Sequence, residues 1–286
     1  MPAHVMQFDS VGALLACVEQ TRQGDTWRRY ATHQGSTDSF AEMIALSDAV
    51  TMARTLHGLE EEITTIDTLA STMAALVQAP ASVKRVPTWG RSGTRISINK
   101  VMRGNLQQAW RTTTRQATAH RGRVLTLIVP CNFSAGVPES QIRLTCAASL
   151  AYAALCAQAG YSLDVWACMA SGHLWAAGAD GLTMIRLLAA GEAWQTQGVA
   201  LAAHAAFLRR LVFRAWEATI PRRGPLAVGY GAVHKQGALQ QAVARWAKTR
   251  AIDTGTLAYG AFSTDRLTTP AAAQAWLTQH LTALAA

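Results

Sequence analysis

The sequence predicts an α/β fold in which a mainly parallel sheet is flanked by helices. Residues 123–171 read as strand, loop, helix and strand within about 50 residues, which is the pattern of a βαβ unit. The 286 residues are 50% hydrophobic and 15% charged. This composition supplies a sizeable core and argues against global disorder.

The two strands of this unit are short apolar runs at residues 124–129 and 163–169. The first run is continuous and rich in Val, Ile and Leu, which is typical of a strand buried on both faces. Between the strands, residues 141–159 are rich in Ala, Leu and Cys and predict a helix, with Gly160 at the C-cap position. This order of elements predicts a Rossmann-like core.

The N-terminal part of the chain predicts helices. Apolar residues recur with helical spacing at residues 11–20, about 39–57 and 59–78. We therefore predict two parts: an α-helical N-terminal extension at residues 1–84 and a Rossmann-like α/β domain at residues 85–286.

A strongly basic segment follows, because no Asp or Glu occurs between Asp67 and Glu139. Residues 95–100 alternate polar and apolar side chains and predict an edge strand, whereas the polar residues 106–120 predict a helix. One hypothesis is a nucleic-acid-binding surface, with arginines on phosphates and tryptophans stacked on bases. The alternative is a solvated face, or one that docks on acidic residues in an assembly. The residues of the nucleic-acid hypothesis are Lys84, Arg85, Trp89, Arg91, Arg95, Lys100, Arg103, Trp110, Arg111, Arg115, Arg121 and Arg123.

Beyond the βαβ unit the sequence predicts further strands and helices. The strands are at residues 182–189 and 254–263, and the helices are at residues 198–219, 238–250 and 270–286. Glycines at 172, 178 and 181 are expected to interrupt regular secondary structure between the second and third strands. Arg209, Arg210 and Arg214 are expected on the polar side of the 198–219 helix, where they extend the phosphate-binding hypothesis or form a solvated, salt-bridged face.

Charge and cysteine usage narrow the class of protein. The net charge of +9 favours a nucleic acid, an anionic membrane or an acidic protein face as partner. Five cysteines without a CxxC pair indicate buried thiols in a reducing compartment. Because neither a signal peptide nor a membrane-spanning stretch is recognisable, we expect a soluble intracellular protein without a membrane partner.

The loop after the first strand is the position where an open α/β sheet binds ligands. With the helix and strand that follow, it resembles the first βαβ unit of von Willebrand factor A-like domains, whose loop carries Asp-x-Ser-x-Ser and holds a divalent cation. The matching residues here are Asn132, Ser134 and Gly136, so the aspartate and one serine are missing. Since hard cations need charged or multiple oxygen ligands, we expect a degenerate site without metal or cofactor.

A broader resemblance spans nearly the whole chain. The stretches S-F-A-E-M-I (39–44), W-G-R-S-G-T-R-I-S-I-N-K-V-M-R-G (89–104) and F-L-R-R-L-V-F (207–213) followed by Glu217 are similar to an uncharacterised family of bacteriophage and prophage proteins. This resemblance implies phage origin, a Rossmann-like core, and a location in the virion or the host cytoplasm. It assigns no activity.

The sequence gives no catalytic set of acids, bases and nucleophiles. Cys131 with His173 or His234 would be a nucleophile and base, but neither histidine has a partner signature and Cys131 ends a buried strand. We therefore expect a non-enzymatic phage protein that acts by contact, as a structural subunit or adaptor in an oligomer or assembly with phage or host proteins. A nucleic-acid-binding protein is the alternative, and a hydrolase is a weaker one.

Overall fold

The computed structural model describes residues 4–20, 44–77, 83–90, 95–102, 109–117, 123–134, 136–175, 179–219 and 236–285. Within these residues the strands form a main sheet of five strands and a small sheet of three. The main sheet contains β1 (His4–Phe8), β5 (Val124–Pro130), β6 (Ser162–Trp175), β7 (Ala179–Leu188) and β8 (Leu257–Tyr259). The small sheet contains β2 (Val83–Gly90), β3 (Arg95–Ile96) and β4 (Trp110–Ala117).

Helices surround the main sheet. The α-helices are α1 (Val11–Gln20), α2 (Leu46–Thr55), α3 (Glu60–Met73), α4 (Ile98–Met102), α5 (Glu139–Gln158), α6 (Thr196–Ala200), α7 (Phe213–Thr219), α8 (Gln236–Thr249) and α9 (Pro270–Ala285). A π-helix, Phe207–Val212, leads into α7, and short 3-10 turns lie at Ala74–Leu76, Leu201–Ala203, Thr254–Thr256 and Ser263–Asp265.

Strand β5 lies inside the main sheet, whose strand order is β1-β7-β6-β5-β8. It pairs in parallel with β6 on one side and with β8 on the other. Strand β1 is parallel to β7, whereas β6 and β7 are antiparallel. The sheet is therefore mixed and mostly parallel, and the predicted α/β class with flanking helices is confirmed.

Successive residues of β5 and β6 point into two separate cores, because side chains alternate along a strand. Leu127 and Val129 join the larger core, which includes residues of α1, α2, α3, α5, α7 and α9. Ile128 and Trp166 join a smaller core closed by α8 through Val243 and Trp246. Both faces of β5 are covered, which explains why its sequence is a continuous apolar run rather than an alternating one.

Helix α5 is the central helix of the larger core, and residues 144–156 are all buried. It packs on the sheet and is covered by α3 and α9. Its many alanines allow neighbouring helices to approach closely, while Tyr152 meets Trp276 of α9 edge-on at 6.1 Å between ring centroids. The predicted helix and its C-cap are confirmed, since Gly160 has a φ of 94°.

The first 84 residues are not a purely helical extension. Strand β1 pairs with β7 along the edge of the main sheet, from His4 opposite Gly181 to Phe8 opposite Ile185. Phe8 and the buried residues of α1, α2 and α3 belong to the same core as α5. The predicted division at residue 84 therefore does not correspond to a break in the core.

The helix predicted at residues 106–120 is wrong for residues 110–117, where the structure places β4. The β-branched run Thr112 to Thr114 favours an extended backbone. The predicted strand at residues 95–100 is present only as β3, after which the chain turns into α4.

The predicted helix at residues 198–219 is interrupted. His204 has an extended backbone with φ −84° and ψ 133°, and its Nδ1 accepts a hydrogen bond from the Ala206 backbone N–H at 3.1 Å. The π-helix then adds a wide turn before α7. Two further differences concern strands: β6 continues through Gly172 to Trp175, and the predicted strand at 254–263 shortens to β8.

Gly260 follows β8 and lies against α5. Among the glycines whose surroundings are described, it leaves the least space for a side chain. A Cβ at this position would lie 2.5 Å from Ser149 Oγ and 2.6 Å from Ser149 Cβ. The neighbouring backbone is fixed by hydrogen bonds, since Gly260 N–H donates to Ile128 O at 2.7 Å and Ala261 N–H donates to Ser149 Oγ at 2.9 Å.

We predict that Gly260→Ala lowers the free energy of unfolding by about 1–3 kcal/mol, because the added methyl group overpacks the contact with α5. Gly237→Ala is the matched control, since a Cβ there meets nothing within 4 Å and the residue lies in exposed helix. It should be neutral or stabilising by about 0.5–1 kcal/mol. Urea denaturation measures both changes, and equal stability of the two variants would contradict this account.

Candidate functional site

The loop at the carboxyl end of β5 is the position where the sequence predicted a degenerate cation site. Asn132 is buried, with 7% of its surface exposed. Its Oδ1 accepts a hydrogen bond from Ala170 N–H at 2.7 Å, and its Nδ2 donates to Ala170 O. The side chain thus extends the β5–β6 ladder by one step beyond the bond from Cys131 N–H to Cys168 O. Its amide oxygen is already used as an acceptor within the fold.

Ser134 and Gly136 occupy the other two positions of the degenerate motif, and both are exposed. The carbonyl oxygen of Ser134 accepts hydrogen bonds from Val137 N–H at 3.1 Å and from Arg209 Nη2 at 3.2 Å. Arg209 Nη2 also donates to Val137 O at 2.9 Å. An arginine from the π-helix therefore binds the backbone of this loop.

Arg209 is almost completely buried, with 2% of its surface exposed. Burial lowers the pKa of its guanidinium, and the nearby Glu139 carboxylate opposes that shift. An arginine side chain nevertheless remains protonated in a protein. The loop therefore holds a permanent positive charge that belongs to the chain itself, next to the carbonyl oxygens of Ser134 and Val137.

A network of charged side chains continues from Glu139 at the start of α5. Arg143 contacts Glu61, Glu62 and Glu139, with 2.9 Å from its Nε to Glu62 Oε1 and 3.9 Å from its Nη2 to Glu139 Oε1. His204 Nε2 lies 3.7 Å from the same oxygen of Glu139. Because Glu62 is only 2% exposed, its carboxylate needs a charged partner, and Arg143 supplies it. The network joins α3, α5 and the turn before the π-helix.

The prediction that three arginines lie on the polar side of the 198–219 helix is wrong for two of them, Arg209 and Arg210. Arg209 and Arg210 are each 2% exposed, and Arg210 Nε donates to Ile44 O at 2.9 Å. The prediction assumed one regular helix, whereas the break at His204 and the π-helix change the phase of the side chains. Arg214 is half-buried. Arg209 and Arg210 hold parts of the fold together and are not on the surface.

The structure brings several residues of the basic segment together on the small sheet. Lys84, Arg85 and Trp89 lie in β2, Arg95 in β3, and Trp110, Arg111 and Arg115 in β4. Lys100 lies in α4, and Arg123 is exposed immediately before β5. Arg91, Arg103 and Arg121 lie outside the described residues.

The register of the small sheet sorts these residues onto two faces, because directly opposed residues of an antiparallel pair share a face. Arg85 pairs with Arg115, and Arg111 pairs with both Trp89 and Arg95. These five residues therefore occupy one face, which we call the basic face. No acidic residue occurs nearby in the sequence to offset the positive charge of these arginines.

Four exposed apolar side chains lie on the small sheet and α4, and the sequence analysis did not identify them. Ile96 pairs with Trp110 on the face opposite the basic face, and these residues are 50% and 36% exposed. Ile98 and Met102 are four residues apart on α4 and are 71% and 82% exposed. We call these four residues the apolar patch. The available signal was the apolar residues at 96, 98, 101 and 102, of which the first two had been attributed to an edge strand at residues 95–100.

The geometry gives the nucleophile hypothesis no support. Cys131 is 2% exposed and its Sγ lies 3.5 Å from Val129 O. A hydrogen bond with Cys131, together with burial, raises the pKa of the Cys146 thiol, and burial raises the pKa of Cys156 to about 12. The side chain of His173 and the whole of His234 lie outside the described part of the chain.

Among the residues that the structure describes, no group of three or more His, Cys, Asp or Glu side chains is placed to hold a metal ion. Over the same residues, no helix combines the length and the apolar character that crossing a bilayer requires.

We predict that Arg209→Met lowers the free energy of unfolding by about 3 kcal/mol, because it leaves two loop carbonyl oxygens without their charged donor. Arg54→Met is the control, since Arg54 forms an ion pair with Glu19 at the surface and its side chain is 57% exposed. That variant should change stability by less than about 1 kcal/mol. Guanidinium or urea titrations compare the two, and a stability loss no larger for Arg209→Met would rule out the bridging role.

Comparison with known proteins gives a family and no activity. Neither a curated protein nor a solved structure matches this chain. One family model does match, and it covers residues 2–257, from before β1 to the start of β8. It therefore includes the loop that Arg209 binds, the small sheet and most of both cores, but not α9. The chain belongs to the family described as a domain of unknown function, DUF7192.

Proposed function

We propose that this protein acts by contact and not by catalysis, as a structural subunit or adaptor in a protein assembly. The observation that carries the proposal is the apolar patch. Ile96 and Trp110 pair across strands, and Ile98 and Met102 are four residues apart on α4, so each pair is a local exposed apolar surface. Exposed apolar surface of this kind is a feature of interaction sites. Met102 and Ile98 are the most exposed of the large hydrophobic residues that the structure describes.

The described part of the main sheet supports this proposal. The loop that would hold a catalytic or structural cation is closed by Asn132 and Arg209, whose polar groups are used inside the fold. In the finer version of the proposal, the core is a von Willebrand A-like domain in which a guanidinium takes the place of the divalent cation. Such a domain would keep the rigid sheet and helices that support contacts with partners, without the cation. Phage origin and a place in the virion or the host cytoplasm are part of the same proposal.

We predict that Met102→Glu disrupts self-association or partner binding, because it places a charge at the most exposed apolar position of the patch. Leu76→Glu is the matched control, since Leu76 is a 48% exposed leucine on a different element and gains the same charge. Sedimentation velocity over a range of concentrations measures the oligomer, and affinity purification from phage-producing cells with nuclease treatment measures bound partners.

The wild type and Leu76→Glu should form the same oligomer or retain the same partner, whereas Met102→Glu should lose it. A wild type that stays monomeric at all concentrations, and whose partners are unchanged by Met102→Glu, would overturn the proposal.

Nucleic-acid binding is the second candidate, and the register of the small sheet favours it. Four arginines and one tryptophan share the basic face, which combines the two side-chain types that contact phosphates and stack on bases. Arginines that oppose one another across strands repel, and a polyanion relieves that repulsion. This candidate uses the opposite face of the small sheet from Ile96 and Trp110, so both contacts are compatible in one molecule.

We predict that Arg111→Gln/Arg115→Gln weakens binding to DNA or RNA and reduces the dependence of affinity on salt. If both arginines neutralise phosphates of duplex DNA, the slope of log affinity against log salt should become shallower by about 1.8. Thr112→Glu/Thr114→Glu is the matched control, since it lowers the net charge by the same amount on the opposite face of the same strand.

Fluorescence anisotropy with single-stranded and double-stranded oligonucleotides at several salt concentrations measures these slopes. Equal losses in the two variants would assign the effect to net charge alone. No binding by the wild type at low salt would exclude this candidate.

A further inference from the structure

A cleft of about 540 Å³ opens at the end of the main sheet where β6 begins and β7 ends. This is the opposite end of β6 from the residues that contact Asn132 and its loop. The cleft is formed by the last turns of α3 and α5, the beginning of β6, the end of β7, and the chain leading into α6. Its lining includes Asp67, Tyr161, Leu163, Glu192 and Trp194.

The charge of this cleft is opposite to that of the whole chain. Two carboxylates, Asp67 and Glu192, line it, and among the described residues of its lining none is Lys, Arg or His. The chain as a whole carries a net charge of +9. A cleft that excludes basic residues in so basic a protein is suited to a positively charged ligand.

Each carboxylate is oriented by one hydrogen bond from the fold. Asp67 Oδ1 accepts from Thr196 Oγ1 at 2.7 Å, and Glu192 Oε2 accepts from Ala189 N–H at 2.9 Å. In each case the hydrogen bond involves one of the two oxygens. Orientation of this kind reduces the entropy lost when a ligand binds.

One helix end adds to the negative potential. Helix α5, with 20 residues, ends at the cleft with Gln158 in the lining, and it has no basic residue in its last turn. The carboxyl end of a helix carries the equivalent of a partial negative charge, which attracts cations. This contribution does not depend on the two carboxylates.

Apolar and aromatic groups complete the lining. Ala70, Ala154, Leu163 and Leu188 are buried lining residues and provide an apolar floor. Tyr161 and Trp194 line the cleft and are half-buried. Aromatic rings bind ammonium and guanidinium groups through their faces, and an apolar floor accommodates a methylene chain.

We propose that this cleft binds an alkylguanidinium or alkylammonium group, with the cation between the carboxylates and the aromatic rings and the methylene stem on the apolar floor. The ligand is either a free small amine or an arginine or lysine side chain of a partner protein. This inference does not rest on the proposed function, because it uses neither the apolar patch nor the basic face.

Calorimetric titration of the full chain with agmatine, which carries both kinds of cation, tests the proposal. A second arm uses the peptide acetyl-Gly-Arg-Gly-amide, and butyrate serves as an anionic probe of similar stem length. We expect agmatine to bind and butyrate not to bind. Agmatine binding without the peptide identifies a free amine as the ligand, and peptide binding of equal or greater strength identifies a partner's side chain. If neither agmatine nor the peptide gives a heat of binding, the proposal is overturned.

Variants place the binding in the cleft. Asp67→Asn/Glu192→Gln should weaken agmatine binding by about tenfold through loss of both charges. Asp9→Asn/Asp48→Asn is the control, since it removes two carboxylates that are exposed elsewhere and should leave the affinity unchanged. Ala157→Leu, which fills the cleft without changing charge, should weaken binding in the same way. Unchanged affinity in both cleft variants would overturn the assignment even if agmatine binds.

Discussion

The structure depends on one constraint: residues 125–130 of β5 and 163–170 of β6 are buried on both faces of the sheet. Every residue of β5 after Val124 is buried, and alternate residues of β6 enter the two cores on opposite sides of the sheet. The chain must therefore provide helices on both sides. On one side α5 lies against the sheet and is itself covered by α3 and α9, and on the other side α8 closes the smaller core. This is why the N-terminal helices belong to the same body as the sheet.

Burial on both sides also explains the charged groups inside the protein. At the carboxyl end of β5 the backbone leaves the ladder, and polar side chains take over its hydrogen bonding. The buried Asn132 side chain bonds the Ala170 backbone on β6, and the buried Arg209 guanidinium donates to Ser134 O and Val137 O. Arg210 binds Ile44 O in the same manner. A guanidinium suits this task because it is always charged and presents several donors in one plane.

The sequence predicted the elements whose residue pattern is determined by burial. It did not predict features that depend on strand pairing or on the rotation of side chains about a helix axis. The continuous apolar run of β5 and the Ala-rich α5 were predicted because both record two-sided burial. Residues 106–120 were predicted as helix because polarity hid the β-preference of three threonines. Arg209 and Arg210 were predicted on the surface because a π-helix leaves no signal in apolar spacing. The cleft residues Asp67, Glu192 and Trp194 form no motif, because two segments far apart in the sequence bring them together.

The buried arginines change how the net charge should be understood. Arg209 and Arg210 bind backbone carbonyl oxygens inside the protein, and Arg143 pairs with Glu61 and Glu62. These cations serve the fold and are not offered to partners. The basic residues of the small sheet differ, since their strands pair with one another and the sequence around them contains no acid. The cleft has the opposite sign, set by two carboxylates and the end of α5. Under the two proposals, the basic face would bind a polyanion and the cleft an organic cation, so occupation of one would not require that the other be empty.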